Sequence, residues 1–223
     1  MLGCSRSDEP PPRTEPAVEP AATGSDPRAA ILFLGTSLTA GYGVGADHAY
    51  PALVQKKLDS AGYAFRAVNA GLSGETSAGG LRRLEWWLQQ PVSVLVLELG
   101  ANDGLRGLPI AQLRANLDSI IARTRQRYPD VAVVMAGMQA PPNLGLPYTS
   151  QFQKTYRDVS RKHDALLIPF LLEGVAADAA LNQGDGIHPN AEGHRRIAAL
   201  MWTALEPVLR QRSPRQPPPA ARE

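Results

Sequence analysis

The sequence lacks several features that mark common classes of protein. Its single cysteine, Cys4, excludes an intramolecular disulfide and a cysteine-based zinc cluster. No apolar run approaches the roughly 18 residues that a membrane-spanning helix needs. The formal net charge is only +2 and no long basic run is present, so we expect no nucleic-acid partner. Together these absences point to an ordinary globular chain.

The length and the distribution of proline indicate one domain with two tails. The chain has 223 residues, which fits a single domain. Its two ends, residues 1–28 and 211–223, are rich in proline and almost free of large apolar side chains. Such segments cannot bury enough surface to offset the entropy of ordering them, so we expect flexible tails. Residues 29–210 have the composition of a globular core.

The first four residues resemble the end of a bacterial lipoprotein signal, in which a small residue precedes the cysteine that receives lipid. Only three residues precede Cys4, so the apolar part of such a signal is missing from the sequence. A free cysteine in a flexible tail explains the same residues. We expect an extracytoplasmic location, with membrane attachment only if Cys4 is lipid-modified.

Short apolar runs alternate with helical patterns through the core. The runs that indicate strands are Ala29–Leu34, Phe65–Asn69, Val92–Leu99, Val131–Gly137 and Leu166–Pro169. The helical patterns are Tyr50–Ser60, Thr76–Gln90, Pro109–Tyr128, Ser150–His163 and Asn190–Arg210. This alternation predicts βαβ units and a parallel sheet, hence a three-layer α/β/α sandwich. In such a sheet a functional site lies beyond the carboxyl ends of the strands.

The loops after the first three strands carry candidate catalytic groups. Ser37 lies in a strand-to-helix turn that can present its hydroxyl as a nucleophile. Helix capping is the commoner use of a serine at such a place, and the G-x-S-x-G elbow of α/β-hydrolases is absent. Gly74 and Asn102, in the next two loops, can offer a backbone N–H and a side-chain amide to an oxyanion. Both residue types are also common in ordinary turns.

A nucleophilic serine needs a neighbouring base, and the sequence has four histidines. His163 and His194 stand beside charged residues in helical patterns, so we expect both on the surface. His48 stays open as a candidate. His188 lies in the sequence DGIHP, where the Asp185 carboxylate can turn back onto the imidazole across a glycine. A helix start with an incidental histidine is the alternative, but the conjunction of all these groups favours a catalytic site.

The motifs together resemble the SGNH, or GDSL-type, serine hydrolases. Block I is matched by Gly35–Leu38, block II by the surroundings of Gly74, block III by Gly100–Asp103 and block V by Asp185–Pro189. The longer strings NAGLSGETSAGGLRRL, VLVLELGANDGLRG and DGIHPNAEGH are similar to the bacterial branch of acyl thioesterases, lysophospholipases and arylesterases. The similarity runs through residues 29–210. It implies a flavodoxin-like fold with a five-stranded parallel sheet and helices on both sides.

The resemblance also implies a role for each site residue. It identifies Ser37 as the nucleophile, His188 as the base and Asp185 as the partner of that base. The N–H groups of Ser37 and Gly74 and the side chain of Asn102 would form the oxyanion hole. The family's chemistry requires no metal and no cofactor.

Two further features of the resemblance concern the nucleophile loop and the substrate. Thr36 stands where the family usually has aspartate, which keeps a polar side chain but removes the charge. We expect activity to be retained, with an effect on the ordering of this loop. Leu105 and Leu108 fall in one loop that contacts substrate in the family, and Pro142 falls in a second.

We therefore expect a monomeric serine esterase that acts on small-molecule carboxylic esters and acyl thioesters through an acyl-enzyme. Because the base must be neutral, activity should rise with pH through about 6–7. A carbohydrate acetyl esterase is the alternative within hydrolases. Outside hydrolases, one alternative is a module that binds a flavin or a phosphate group at the Gly35–Gly45 loop. The other is a non-catalytic module that binds an acyl chain or a glycan in the same groove.

Overall fold

The central sheet is built from five short apolar segments that the sequence alternates with helices. The computed structural model describes residues 26–212. The strands are β1 (Ala29–Gly35), β2 (Phe65–Gly71), β3 (Val92–Glu98), β4 (Ala132–Ala136) and β5 (Leu166–Ile168). The helices within these residues are α1 (Ser37–Ala40), α2 (Tyr50–Ser60), α3 (Ser77–Trp87), α4 (Ala101–Leu105), α5 (Ile110–Arg127), α6 (Leu146–Lys162) and α7 (Ala191–Arg212). Two 3₁₀ turns, Ala46–His48 and Pro142–Leu144, complete the elements.

All five strands are parallel, in the order β2-β1-β3-β4-β5. Six of the seven residues of β3 are buried, as expected for a central strand that is covered on both faces. The chain moves from β1 to β2 in one direction and then returns to place β3 on the other side of β1. This reversal leaves a crevice at the carboxyl ends of β1 and β3, where open α/β sheets bind their ligands.

The helices divide into two groups that cover the two faces of the sheet. Helix α2 packs against α7, whereas α3 packs against α5 and α5 against α6. The right-handed connections of parallel strands require this division once the strand order reverses. The predicted flavodoxin-like α/β/α sandwich with a five-stranded parallel sheet is therefore confirmed.

Some element boundaries differ from the predicted ones. Helix α6 begins at Leu146, four residues before the predicted start, because Pro147 occupies its first turn, where proline is readily accommodated. The short helices α1 and α4 directly follow β1 and β3, and the apolar pattern predicted neither of them. Within residues 26–212 no helix combines the length and apolar character of a membrane-spanning segment. Most of both predicted tails, including Cys4, lies outside the described residues, so the domain boundaries stay predictions.

Candidate active site

The first group of the site is a serine held at the start of a short helix beyond β1. Thr36 precedes α1, Ser37 is its first residue, and Gly41 ends it in the left-handed conformation. The Ser37 N–H has no intrahelical acceptor at this position, and no hydrogen-bond partner for it occurs in the described part of the chain. The turn therefore presents both a hydroxyl and a free backbone donor at the sheet edge.

Ser37, His188 and Asp185 form a continuous hydrogen-bonded row. Ser37 Oγ lies 3.0 Å from His188 Nε2, although the two residues are 151 positions apart. His188 Nδ1 lies 2.7 Å from Asp185 Oδ2. An ionised Asp185 accepts a hydrogen bond from the His188 Nδ1–H, which leaves Nε2 as the acceptor for the serine hydroxyl. The predicted histidine and aspartate are therefore placed where a base and its orienting acid would act.

The carboxylate of Asp185 is held by the backbone of its own loop as well as by the imidazole. Its Oδ1 accepts the N–H of Ile187 at 2.9 Å and of His188 at 3.0 Å. These hydrogen bonds, chiefly the His188 N–H and its ring, lower the pKa of Asp185 to about 2. The carboxylate is thus ionised and oriented across the neutral pH range.

Gly74 and Asn102 approach Ser37 from the loops after β2 and β3. Both line the same cavity as Ser37 and His188. The Asn102 amide donates one hydrogen to the Glu75 carbonyl oxygen at 3.0 Å, which leaves its second hydrogen for another acceptor. Gly74 has a φ of +76°, a conformation that favours glycine, and its N–H has no partner among residues 26–212. The three predicted donors therefore surround one cavity beside the serine hydroxyl.

The loops that carry these donors are joined by buried polar contacts. Asp103 accepts the backbone N–H of Ser77 at 2.8 Å and its hydroxyl at 2.6 Å. Asn116 donates to the same hydroxyl at 2.8 Å. These bonds tie α4, which contains Asn102, to the start of α3, which follows Gly74. These buried hydrogen bonds thereby fix the spacing between Gly74 and Asn102.

A buried glutamate explains how the nucleophile loop is ordered with threonine at position 36. Glu98 has no exposed surface, and burial raises the pKa of its carboxyl group. It accepts the Thr36 N–H at 2.8 Å and the Thr36 and Thr39 hydroxyls at 3.0 and 2.8 Å. The Tyr50 hydroxyl lies 2.8 Å from Thr39 Oγ1 and extends this network. Three donors thus anchor the Ser37 turn to the end of β3.

The cavity at the site has a volume of about 230 Å³. Its lining residues are Thr36, Ser37, Leu38, Tyr42, Ser73, Gly74, Ala101, Asn102, Leu105, Met138, Leu172, Ile187 and His188. Of the predicted substrate contacts, Leu105 lines the cavity, whereas Leu108 and Pro142 do not. Its apolar side chains come from the segments that follow β1, β3, β4 and β5, and they make this cavity suited to a short hydrocarbon chain.

None of the other three histidines lines this cavity. His48 is exposed in the 3₁₀ turn. The surface position expected for His163 is wrong, because its side chain is only 12% exposed and Nε2 contacts Asp118 Oδ1 at 2.7 Å. The surface position expected for His194 is also wrong, because it is 1% exposed and faces α2. Burial, with a smaller contribution from His188, lowers the pKa of His194 to about 4.

Sequence reasoning also missed two residues near His188. The Tyr42 ring lies against the His188 imidazole, with 4.6 Å between ring centroids. The Gln183 side chain joins the loops that carry these two rings. No local sequence pattern marks either residue. Their contacts with each other and with His188 form only when the two loops meet in the folded chain. No group of three histidine, cysteine, aspartate or glutamate side chains in residues 26–212 is placed to hold a metal.

A larger open groove of about 470 Å³ lies between α5 and α6. Its charged side chains are paired with one another, Arg114 with Asp158 and Lys162 with Asp118. It contains no serine, histidine or cysteine. The volume of a cavity therefore does not identify the candidate active site in this chain, because the smaller cavity contains the serine and the histidine.

Comparisons with known proteins agree with this geometry. Residues 33–196 match the GDSL-like lipase/acylhydrolase family. The esterase TesA of Pseudomonas aeruginosa is 41% identical over 180 residues, 80% of this chain and 89% of TesA. The thioesterase 1/protease 1/lysophospholipase L1 of Escherichia coli is 38% identical over 181 residues, 80% of this chain and 84% of that protein.

A solved structure resembles both the fold and the sequence. The crystal structure of AlinE4, an SGNH-hydrolase family esterase, superposes with a TM-score of 0.68 at 37% identity. The match covers 86% of this chain and all of that one (100%). The predicted family and the predicted class of enzyme are both confirmed. The chain belongs to the GDSL-like lipase/acylhydrolase family and is a carboxylic ester hydrolase with small-molecule ester substrates.

Proposed function

We propose that the chain hydrolyses acyl esters and acyl thioesters through an acyl-enzyme formed on Ser37. The observation that supports it most strongly is the contact of 3.0 Å between Ser37 Oγ and His188 Nε2, at the wall of a cavity. The 2.7 Å contact between His188 Nδ1 and Asp185 adds the orienting acid. This is the arrangement that a serine nucleophile requires.

In the proposed reaction Ser37 Oγ attacks the acyl carbon as its proton passes to His188 Nε2. The negative oxygen of the tetrahedral intermediate accepts hydrogen bonds from the Ser37 and Gly74 N–H groups and the Asn102 amide. The intermediate collapses and the bond to the leaving oxygen or sulfur breaks, while His188 returns the proton to that atom. Water then attacks the acyl-enzyme by the same route, which releases a carboxylic acid and restores the serine.

The cavity supports acyl chains of short to medium length. Its volume of about 230 Å³ is smaller than the roughly 300–1,000 Å³ typical of pockets for drug-sized ligands. The apolar side chains that line it are Leu38, Leu105, Met138, Leu172 and Ile187. A hydrocarbon chain would be stabilised by burial against these side chains, whereas a polar sugar would find few hydrogen-bond partners among them. This lining favours acyl chains over the acetylated carbohydrates of the alternative reading.

The first experiment is turnover of p-nitrophenyl esters from acetate to palmitate by wild type, Ser37→Ala and Ser150→Ala. Ser150 is an exposed serine on α6 and serves as the matched control. We expect an optimum at short to medium chains that survives Ser150→Ala and is lost in Ser37→Ala. Acyl thioesters of the same chain lengths, followed by thiol release, test the second substrate class.

Two outcomes would contradict the proposal. No turnover of any ester, with Ser37 unmodified by an organophosphonate, would favour the non-catalytic binding module. Turnover restricted to acetate, with acetylated sugars preferred, would favour the carbohydrate acetyl esterase.

The same proposal includes a monomer that works outside the cytoplasm. A monomer is supported because one chain supplies the nucleophile, the base and all three donors. The extracytoplasmic location is supported by the Leu2-Gly3-Cys4 sequence, which lies outside the described residues. Cell fractionation of wild type and Cys4→Ala tests it, because a lipid anchor would shift only the wild type into the membrane fraction.

A further inference from the structure

The Ser37–His188 contact depends on the distance between two loops that are far apart in the sequence. Segment 36–45 carries Ser37, and segment 182–190 carries Asp185 and His188. Among the described residues two hydrogen bonds join these segments. One is the Ser37–His188 contact itself, which changes as the proposed reaction proceeds. The other is made by Gln183, so this side chain is the polar link that does not take part in chemistry.

We propose that Gln183, together with Tyr42, is a positioning residue that holds the His188 imidazole on Ser37. This inference rests on the proposed acyl-enzyme function and assigns two residues that the triad and oxyanion hole do not include. The Gln183 Nε2 group donates to the Tyr42 carbonyl oxygen at 2.7 Å and to the Pro189 carbonyl oxygen at 2.9 Å. Both amide hydrogens are thus used, one on each loop.

The backbone of Gln183 secures the loop from within. Its N–H donates to the His188 carbonyl oxygen at 2.7 Å, and its own carbonyl oxygen accepts the Gly186 N–H at 2.9 Å. An antiparallel bridge between Asn182 and Pro189 closes the base of this loop. Gln183 is therefore fixed relative to His188, and whatever its side chain binds is fixed relative to His188 as well.

Tyr42 is the residue that the Gln183 side chain binds on the serine side. Its N–H donates to the Ser37 carbonyl oxygen at 3.0 Å, which ties it to the start of α1. Its ring contacts the His188 ring at 4.6 Å between centroids, with 43° between the planes. The imidazole is therefore held by Asp185 at Nδ1 and contacted by the tilted Tyr42 ring. An aromatic face also favours the imidazolium that forms during proton transfer.

A glycine makes the close approach of the two loops possible. A Cβ atom at Gly43 would lie 2.0 Å from Gln183 Oε1, and Gly43 has a φ of +75°. A side chain at this position would both strain the backbone and push the Gln183 amide away from Tyr42. The absence of a side chain at Gly43 thus leaves room for the Gln183 amide beside Tyr42.

The test compares Gln183→Met, which keeps the length and removes both donors, with Gln183→Glu, which turns an oxygen toward two carbonyl groups. Gln151→Met, on the exposed side of α6, is the matched control. The measurements are kcat and KM for a p-nitrophenyl ester, the rate of Ser37 phosphonylation, and the melting temperature. A loop shift of about 1 Å can cost on the order of 100-fold in rate. We expect kcat and phosphonylation to fall about 10- to 100-fold in both Gln183 variants, with KM within about twofold.

The outcomes separate this inference from the proposed function. Wild-type kcat in Gln183→Met, with Ser37→Ala inactive, would overturn the positioning role and leave the acyl-enzyme intact. A lower melting temperature with unchanged kcat would do the same, because it would show a purely structural role. An inactive wild type with unlabelled Ser37 would overturn both.

A second pair of variants covers the case in which the Gln183 variants do not fold. Tyr42→Leu removes the ring from His188, whereas Tyr42→Phe keeps it. We expect kcat to fall at least about 10-fold further in Tyr42→Leu than in Tyr42→Phe. Equal values of kcat in the two variants would overturn the role of the ring.

Discussion

Removal of the Asn102 amide gives the sharpest separation of catalysis from stability at this site. The cavity offers three donors to a developing oxyanion, and Asn102 is the one whose donor a side-chain substitution can delete. Loss of one such donor costs about 10²–10³ in turnover. Asn102→Ala should therefore lower kcat on a p-nitrophenyl ester about 10²- to 10³-fold while the Ser37 and Gly74 N–H groups retain part of the rate.

The effect of Asn102→Ala on stability should be far smaller. The substitution also removes the 3.0 Å hydrogen bond to the Glu75 carbonyl oxygen. One such bond is worth about 1 kcal/mol, or roughly 2–4 °C in melting temperature for a domain of this size. Asn102→Asp, which has the same shape but repels an oxyanion, should lose at least as much activity.

The assay pairs steady-state kinetics with thermal unfolding for wild type, Asn102→Ala and Asn102→Asp. Asn143→Ala provides the control, since Asn143 is exposed in a 3₁₀ turn and does not line the cavity. Asn102→Ala with kcat within threefold of wild type would refute the oxyanion assignment. A loss of activity that merely followed a large fall in melting temperature would refute the reasoning about stability.

Three further predictions concern the surroundings of the site. Thr36→Val should lower the free energy of unfolding, measured by urea titration, by about 1–3 kcal/mol, because it removes a hydrogen-bond donor from buried Glu98. Thr36→Ser keeps the hydroxyl and should lower the free energy of unfolding much less in the same titration. His194 has a pKa of about 4 in the folded chain, against an ordinary value of 6.5. The unfolded chain therefore binds the proton first, and stability falls as pH drops from about 6.5 to 4. We expect this group to cost about 2 kcal/mol between pH 7 and pH 5, a difference that urea unfolding should show in wild type and not in His194→Gln. Gly193→Ala should lower the free energy of unfolding by about 1–3 kcal/mol, because the new Cβ would lie 2.3 Å from the Leu181 carbonyl oxygen. An unchanged urea midpoint would contradict this, since it would mean that the loop before α7 can shift to make room for the methyl group.

Local pattern was sufficient to predict the sheet and its helices. The mainly apolar runs of β3 and β1 predict strands, and most residues of both strands are buried. Helices α1 and α4 were missed because four or five residues are too few to display a helical period. Glu98 carried a signal that was overlooked, since a charged residue inside an apolar strand is rarely buried without partners.

Local sequence patterns could not predict contacts between distant segments. His194 stands beside two arginines in the sequence, yet the packing of α7 against α2 buries it. Tyr42 and Gln183 are 141 positions apart, and nothing in either segment reveals the other. The block motifs could place Ser37, Asp185 and His188 together because the resemblance to a family supplied the tertiary information.

The separation of 151 positions between Ser37 and His188 has a consequence for when a newly made chain becomes active. Every chain must be synthesised almost to α7 before the base can reach the serine, so a nascent chain cannot attack esters around it. The turn at Pro142–Leu144 lies in the sequence between the serine with its oxyanion donors and the aspartate with the histidine. A break there would leave the serine and the oxyanion donors on one fragment and the aspartate and histidine on the other. Ester hydrolysis by the two fragments would then report their reassembly directly.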